Sequence, residues 1–445
     1  MDKNTTIGSE KIRSLFDVGT FVEIGAYVRS AMSHDAYDGL ICGYGSIRGK
    51  LVFAFAQDMD RQKGALDDPG AKKLRTLYGM AMKNGAPVVG LFDSAGAVVY
   101  DGTAALDAYG SFLRCVSDAS GVIPQIAVVC GVCASSAAIV ASMFDFIITI
   151  KDKSQLYMVS PFLIGEESAG AEAAAESGLS AITCDSEADA LAAAGALIDL
   201  LPVNNCDHCV SDGEDPARYL APDAALPAAL LDGGAMLELY GTFAPELTVA
   251  FGRLGGETVG IVDAHGPLSP DAARKAARMI SFCDAFRLPV VTLLNCEGIV
   301  VNAKEQAAPA SAVYARLAMA YAAADCPKIT VVTGKAYGAA YSLLGSRALG
   351  ADMVLALPEA VISTMAPDKA VAFVWNDKVT EEVTREMVEQ EWIDTYAKPE
   401  IAAAKGDIDD VIAPEELRMR LCSAVYMLSS KAEGKPTRRH PTLAL

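Results

Sequence analysis

Histidine is scarce in this sequence. It occurs only as His34, His208, His265 and His440, which leaves few places for imidazole acid–base chemistry. A basic stripe is also missing, and the formal net charge is −19, which counts against nucleic-acid binding. Anionic small molecules remain open, because a phosphate needs only a local patch or a helix N-terminus. There is no uninterrupted apolar run of the ~18 or more residues that a membrane span needs. The opening Met1-Asp2-Lys3-Asn4 is not an apolar signal segment, so a cytoplasmic location is expected. The 11 cysteines, Cys42, Cys115, Cys283 and Cys326 among them, sit in apolar segments as buried small hydrophobes do, not as a disulfide framework. Two pairs have C-x-x-C spacing. Cys130 and Cys133 fall in a strand and turn. Cys206 and Cys209 flank His208 without an evident fourth ligand, and no metal is expected.

What the chain does have is an internal repeat. Ala86-Pro87-Val88-Val89-Gly90-Leu91-Phe92-Asp93-Ser94-Ala95-Gly96 answers to Leu288-Pro289-Val290-Val291-Thr292-Leu293-Leu294-Asn295-Cys296-Glu297-Gly298. Ile123-Pro124-Gln125-Ile126-Ala127-Val128-Val129-Cys130-Gly131 answers to Cys326-Pro327-Lys328-Ile329-Thr330-Val331-Val332-Thr333-Gly334. Runs of tiny residues follow, Ala134 to Ala138 and Gly338 to Ala340. Two matches in one order, about two hundred residues apart, indicate a duplicated domain. In each copy an apolar strand precedes a glycine-bearing turn, where free backbone N–H groups can stabilise an oxyanion.

A chain of 445 residues can bury two cores. Strands are expected at Phe21–Ile24, at Gly39–Gly49 with Leu51–Ala56, and at Val88–Phe92, Ile126–Cys130 and Phe146–Ile150, with helices opening at Pro69 and spanning Tyr109–Val116. This β–α–β alternation indicates a largely parallel sheet. Asp185–Leu201 reads as a helix that Pro202 ends. Residues 202–235, rich in Pro, Gly, Asn and Asp, form the best boundary, giving domains 1–235 and 236–445. In the second copy Ser269 and Pro270 supply an N-cap and a first-turn proline. Strands follow at Val290–Leu294, Ile329–Thr333 and Val354–Leu357, then helices at Glu381–Ala397 and Pro414–Ser430.

The chain resembles the carboxyltransferase subunit of biotin-dependent acyl-CoA carboxylases and decarboxylases, the propionyl-CoA carboxylase beta and methylmalonyl-CoA decarboxylase alpha type within the crotonase superfamily. The resemblance runs through Gly85-Ala86-Pro87-Val88-Val89-Gly90-Leu91-Phe92-Asp93-Ser94, Leu200-Leu201-Pro202-Val203-Asn204-Asn205, Phe251-Gly252-Arg253-Leu254-Gly255-Gly256, Lys335-Ala336-Tyr337-Gly338-Ala339-Ala340-Tyr341 and Gly406-Asp407-Ile408-Asp409-Asp410-Val411-Ile412. It implies an α/β fold of two tandem crotonase-like (ClpP/crotonase) ββα-superhelix domains. The first would take the acyl-CoA substrate, and the second would take biotin carried on a separate protein. Carboxyl transfer between carboxybiotin and the α-carbon of an acyl-CoA, with propionyl-CoA and methylmalonyl-CoA favoured, then needs two oxyanion holes. Implied partners are a biotin carboxyl carrier protein and either a biotin carboxylase or membrane sodium-pump decarboxylase subunits. The implied assembly is a homo-hexamer, a dimer of trimers, in which the first domain of one subunit faces the second of another.

By position, the acyl-CoA hole would use backbone N–H groups around Ala95-Gly96 and Ser135-Ser136. The biotin hole would use those around Gly298-Ile299 and Gly338-Ala339. The chain departs from the family at several of these places. Ala134-Ser135-Ser136-Ala137 stands for the usual Ala-Gly-Gly-Ala, Ser94-Ala95-Gly96-Ala97-Val98 for Ser-Gly-Gly-Ala-Arg, and Ala307-Ala308-Pro309-Ala310-Ser311-Ala312 for a glycine-rich loop holding Arg and His. Two other readings stay open. One is a non-catalytic scaffold subunit. The other is a crotonase-type CoA-thioester enzyme that works without biotin, with Asp93, Glu297 or Glu305 as its acid or base.

Overall fold

The computed structural model describes residues 6–94, 96–160, 163, 169–300, 302 and 310–433. The chain divides into two compact units, Met1–Cys209 and Val210–Leu445. In the first unit, helix α1 (Ile7–Leu15) precedes strand β1 (Val22–Ile24), a small hairpin of β2 (Arg29–Ser30) and β3 (Ser33–Tyr37), and then β4 (Leu40–Ile47) and β5 (Lys50–Gln57). Helix α2 (Asp68–Asn84) leads to β6 (Val88–Ser94), α3 (Thr103–Ala119) to β7 (Gln125–Ala134), and α4 (Ser136–Ser142) to β8 (Phe146–Ile150). Strand β9 (Gln155–Tyr157), helix α5 (Ala171–Glu176), β10 (Ile182–Cys184) and α6 (Glu187–Leu200) complete it.

The second unit repeats the plan. Its strands are β11 (Met236–Leu239), β12 (Leu247–Leu254), β13 (Glu257–Ala264), β14 (Val290–Cys296), β15 (Lys328–Tyr337), β16 (Met353–Ala356), β17 (Val361–Ser363) and β18 (Asp410–Val411). Helices α7 (Pro270–Ala285), α8 (Ala310–Ala323) and α9 (Gly338–Leu343) connect them, and α10 (Pro367–Val374), α11 (Arg385–Trp392), α12 (Pro399–Lys405) and α13 (Leu417–Leu428) follow. Among the described residues each unit carries an eight-stranded sheet. The orders are β1-β4-β5-β6-β7-β8-β10 with β9 on β7, and β11-β12-β13-β14-β15-β16-β18 with β17 on β15. The strands joined by hairpins pair antiparallel; those joined through helices pair parallel, as crossover connections require.

The repeat reaches side chains that the sequence alone did not pair. Each hairpin turns through two left-handed residues, Arg48 and Gly49 in one unit and Gly255 and Gly256 in the other. An aspartate braces each turn. Asp17 accepts the N–H groups of Arg48 and Gly49, both at 3.1 Å, and Asp232 accepts those of Gly255 and Gly256 at 3.1 and 2.8 Å. The residue after each strand-opening proline caps a buried helix end. Gln125 donates to the Val116 carbonyl at 3.0 Å, and Lys328 to those of Tyr321 and Ala324 at 2.9 and 2.6 Å. Around β5 and β6, Phe55 meets Phe92 and Phe112 edge-on, each at 5.4 Å between centroids. A side chain at Gly90 would strike Phe55 at 2.5 Å, so glycine lets that ring lie on the sheet.

The segment 210–235 packs with the second unit, ahead of the boundary expected at 235/236. Val210 bridges to Glu257, Leu220, Leu230 and Leu231 enter the second core, and Asp232 grips the β12–β13 turn while receiving Arg418 at 2.5 Å. Turns and caps hold this segment rather than a periodic apolar face, which is why it reads as a linker. The helix expected from Glu381 begins at Arg385, where the Thr384 hydroxyl accepts the Met387 N–H. No helix among the described residues is long and apolar enough to cross a membrane.

One carboxyl in the second sheet sets a pH dependence. Burial pushes Asp263 up to about 6, with His265 pulling weakly the other way. Its unfolded value is about 3.9, so the folded state holds an extra proton between those two values. The associated stability is complete below about pH 4 and is lost as pH rises through about 6. Asp263→Asn should therefore flatten the fall in urea midpoint that the native chain shows across that window; an unchanged slope would contradict it.

Candidate active site

The site is built where the sheet loses register. Phe92 pairs with Val129, but two residues later Ser94 pairs with Cys133; likewise Leu294 pairs with Val332 and Cys296 with Ala336. Strands β7 and β15 therefore each carry two extra residues at their carboxyl ends, a bulge that breaks the ladder and re-aims the chain. Into each bulge projects the side chain opposite it. Asp93 Oδ1 accepts the Val132 N–H at 3.3 Å, and Asn295 Oδ1 accepts the Lys335 N–H at 2.9 Å.

Beyond each slip the paired strands end in two turns. In the first unit Gly96 has φ +108°, and its N–H donates to Ser94 Oγ at 3.0 Å. The Gly96 carbonyl takes the Leu66 N–H at 3.1 Å, while Val98 donates to the Leu66 carbonyl at 3.3 Å. That bridge leaves the Ala97 N–H facing away from Leu66. The second unit copies it. Gly298 has φ +121°, the Leu268 N–H donates to its carbonyl at 2.9 Å and Val300 donates to the Leu268 carbonyl at 3.1 Å, so the Ile299 N–H faces away. The structural counterpart of Ile299 is thus Ala97, a residue the sequence comparison passed over. Ala95 lies outside the described residues.

The turns after β7 and β15 are also equivalents. Ser135 has φ +53° and Gly338 φ +59°, and each stands at the start of a short helix, α4 and α9, which has no side-chain cap. The first N–H groups of a helix have no partner within it. Ser135 is an exception to what its position implies, because its N–H donates to the Tyr157 carbonyl at 2.7 Å. The next N–H, that of Ser136, is the one left at the turn. In the second unit Ala339 occupies the same place and is exposed. Tyr157 ends β9, a three-residue strand whose pairing with β7 no sequence pattern announced.

Charge differs between the two turns. Lys11 of α1 reaches Asp93 at 3.2 Å and Glu187 at 3.7 Å, and Lys153 reaches Glu187 at 2.5 Å. Asp93 is only 14% exposed and engaged at both oxygens, so it is not a free acid or base. Glu297 is exposed and pairs with Lys335 at 2.5 Å, which raises the lysine's pKa. Glu305 lies outside the described residues. Burial pushes the Cys130 and Cys133 thiols up to about 12, too high for a nucleophile at neutral pH. Cys209 Sγ lies 3.5 Å from both Lys50 Nζ and the Asp199 carbonyl, whereas Cys206 Sγ faces Asn205. Among the described residues no three His, Cys, Asp or Glu side chains converge as a metal set.

A non-glycine residue at such a positive φ with ψ −120° costs about 1 to 3 kcal/mol. Ser135→Gly should therefore raise stability by about 1 kcal/mol, seen as a higher urea midpoint at unchanged slope; a lower midpoint would show that the serine hydroxyl contributes more than the strain costs.

A carboxyl transferase domain model matches residues 1–443. The chain is 33% identical to the propionyl-CoA carboxylase beta chain of Saccharopolyspora erythraea, over 100% of this chain and 91% of that one. It is 34% identical to the methylmalonyl-CoA decarboxylase subunit alpha of Veillonella parvula, over 98% and 92%. Its fold superposes on the crystal structure of the transcarboxylase 12S hexamer, with hydrolysed methylmalonyl-coenzyme A bound, at a TM-score of 0.92 and 30% identity, covering 99% of this chain and 93% of that one. With two sheets of like topology, each ending in the same pair of turns, the chain belongs to the carboxyl transferase domain family and has its tandem crotonase-like fold.

Proposed function

We propose that this chain is an acyl-CoA carboxyltransferase that moves a carboxyl group between the α-carbon of an acyl-CoA and biotin borne on a carrier protein. The observation that carries this reading is the duplication of the turn pair. A transfer between a thioester and a cyclic urea develops negative charge on two oxygens, one on each partner, and the chain presents two equivalent sets of backbone donors. Propionyl-CoA and methylmalonyl-CoA are the favoured pair. Relatives named for carboxylating the one and decarboxylating the other match nearly the whole chain, and transcarboxylase 12S holds hydrolysed methylmalonyl-coenzyme A.

The first unit would hold the thioester oxygen on the N–H groups of Ser136 and Ala97. The second would hold the ureido oxygen of biotin on those of Ala339 and Ile299. The second turn fits that group. Gly338 takes the left-handed conformation without strain, a side chain there would come within 3.3 Å of the Thr364 carbonyl, and Ala339 offers no polar side chain to compete for its own N–H. Carboxybiotin bound there would supply the carboxyl group, and biotin would receive it in the reverse direction. Fixed dipoles of this kind need no reorganisation as charge develops, and no histidine is required. Like transcarboxylase 12S, the chain would work as a hexamer, with a biotin carrier and further carboxylase or decarboxylase subunits as partners in the cytoplasm.

The engagement of the Ser135 N–H by Tyr157 favours one other reading, a scaffold subunit whose acyl-CoA turn has lost a donor. Incubating the chain with malonyl-, methylmalonyl- or glutaconyl-CoA, with and without biocytin, separates the cases. Biocytin-dependent decarboxylation of methylmalonyl-CoA is expected. Turnover without biocytin would mean a biotin-independent enzyme, and CoA-ester binding without turnover would mean a scaffold. Gly338→Val should lower the transfer rate by about 100-fold, the usual loss when one oxyanion donor is displaced, while leaving methylmalonyl-CoA affinity in place by calorimetry.

A further inference from the structure

We propose that Asp93 and Asn295 are positioning residues, each holding together the two turns of one oxyanion hole. This inference rests on the reading of the turns given above. Each residue lies three positions before the glycine of one turn, Gly96 or Gly298. Each accepts the backbone N–H that lies three positions before the other turn, at Val132 or Lys335. The side chain spans the register slip and ties the bases of both turns to one acceptor oxygen. The backbone opposite is cleared for it. A Cβ on Gly131 would stand 2.2 Å from Asp93 Oδ1, and one on Gly334 would stand 2.5 Å from Asn295 Oδ1. Asp93 is fixed at its main chain too: its N–H donates to Gln57 Oε1 at 3.2 Å, and Gly64 leaves room for its carbonyl.

The duplication separates the roles of acceptor and charge. In the second unit a neutral, exposed amide fills the position, so an acceptor oxygen is all the bulge requires. In the first unit the same position is a carboxylate, and its second oxygen receives Lys11 of α1. The negative charge at 93 therefore serves the contact with α1, and the oxygen facing Val132 serves the turn.

Asp93→Ala, Asp93→Asn and Asn295→Ala test this in the intact oligomer with methylmalonyl-CoA and biocytin as substrates. Asp93→Ala should raise the KM for methylmalonyl-CoA about 10- to 100-fold, the scale of a small misplacement, with the KM for biocytin nearly unchanged. Asn295→Ala should do the reverse. Asp93→Asn, which keeps the acceptor, should recover most of the loss. Amide hydrogen exchange reads the same claim without turnover. Asp93→Ala should speed exchange in a peptide spanning residues 129–136 and spare the one spanning 332–339; Asn295→Ala should do the opposite. Unchanged exchange at the facing bulge would overturn the proposal, as would both KM values rising together or Asp93→Asn failing as badly as Asp93→Ala. Expected exchange changes in a chain that transfers no carboxyl group would leave the clamp standing and remove the carboxyltransferase reading instead.

Discussion

The two-residue register slip at the carboxyl end of the central parallel strand pair is the constraint on which the rest depends. A regular ladder would spend the N–H groups of β7 and β15 on their neighbours, since buried backbone donors must be paired. The slip leaves Val132 and Lys335 with no partner residue on β6 or β14, although each still pairs with β9 or β17 on its other side. The chain then runs through a left-handed residue, Ser135 or Gly338, before a short helix. On the proposed reading each place offers a pair of backbone donors, on a base anchored by strands that are mostly buried.

Given that frame, the two units differ in what surrounds the same turns. The second has glycine where the left-handed conformation is needed and an exposed Glu297–Lys335 pair beside it. The first has serine there, with a donor consumed by Tyr157 and a carboxylate backed by Lys11. Duplication followed by such divergence suits a reaction with two unlike partners, each presenting one oxygen that becomes negative. It also fits the scarcity of histidine: dipoles preset by the backbone would do the stabilising, and the thiols beside the first turn pair, Cys130 and Cys133, are buried in β7.

The sequence was most legible where the physics is local and repeated. Val88–Phe92 and Val290–Leu294 read as strands from their apolar runs, and Ser269 with Pro270 reads as a helix start, as the structure bears out. The left-handed turn at Gly338 was visible because glycine marks it. Less was legible where a position is set by a distant carbonyl. That the Ser135 N–H is taken could not be read, since Tyr157 lies on a strand three residues long. The Ala97 donor was missed because the repeat was matched on glycine, one residue short of the bridge that Leu66 and Leu268 make. Asp93 read as a turn carboxylate because its partner, the Val132 N–H, is a backbone group with no residue signature. Residues 210–235 read as a linker for a related reason: aspartate braces and single leucines hold them, and neither leaves a period.

The central claim is that two equivalent turns serve two different oxygens. The most direct measurement is a crystal structure of the protein with methylmalonyl-CoA and biotin bound together. The account predicts the thioester oxygen within hydrogen-bond distance of the Ser136 N–H and the ureido oxygen within hydrogen-bond distance of the Ala339 N–H. Both ligands on one turn, or a thioester oxygen held by side chains away from Ser136 and Ala97, would contradict it.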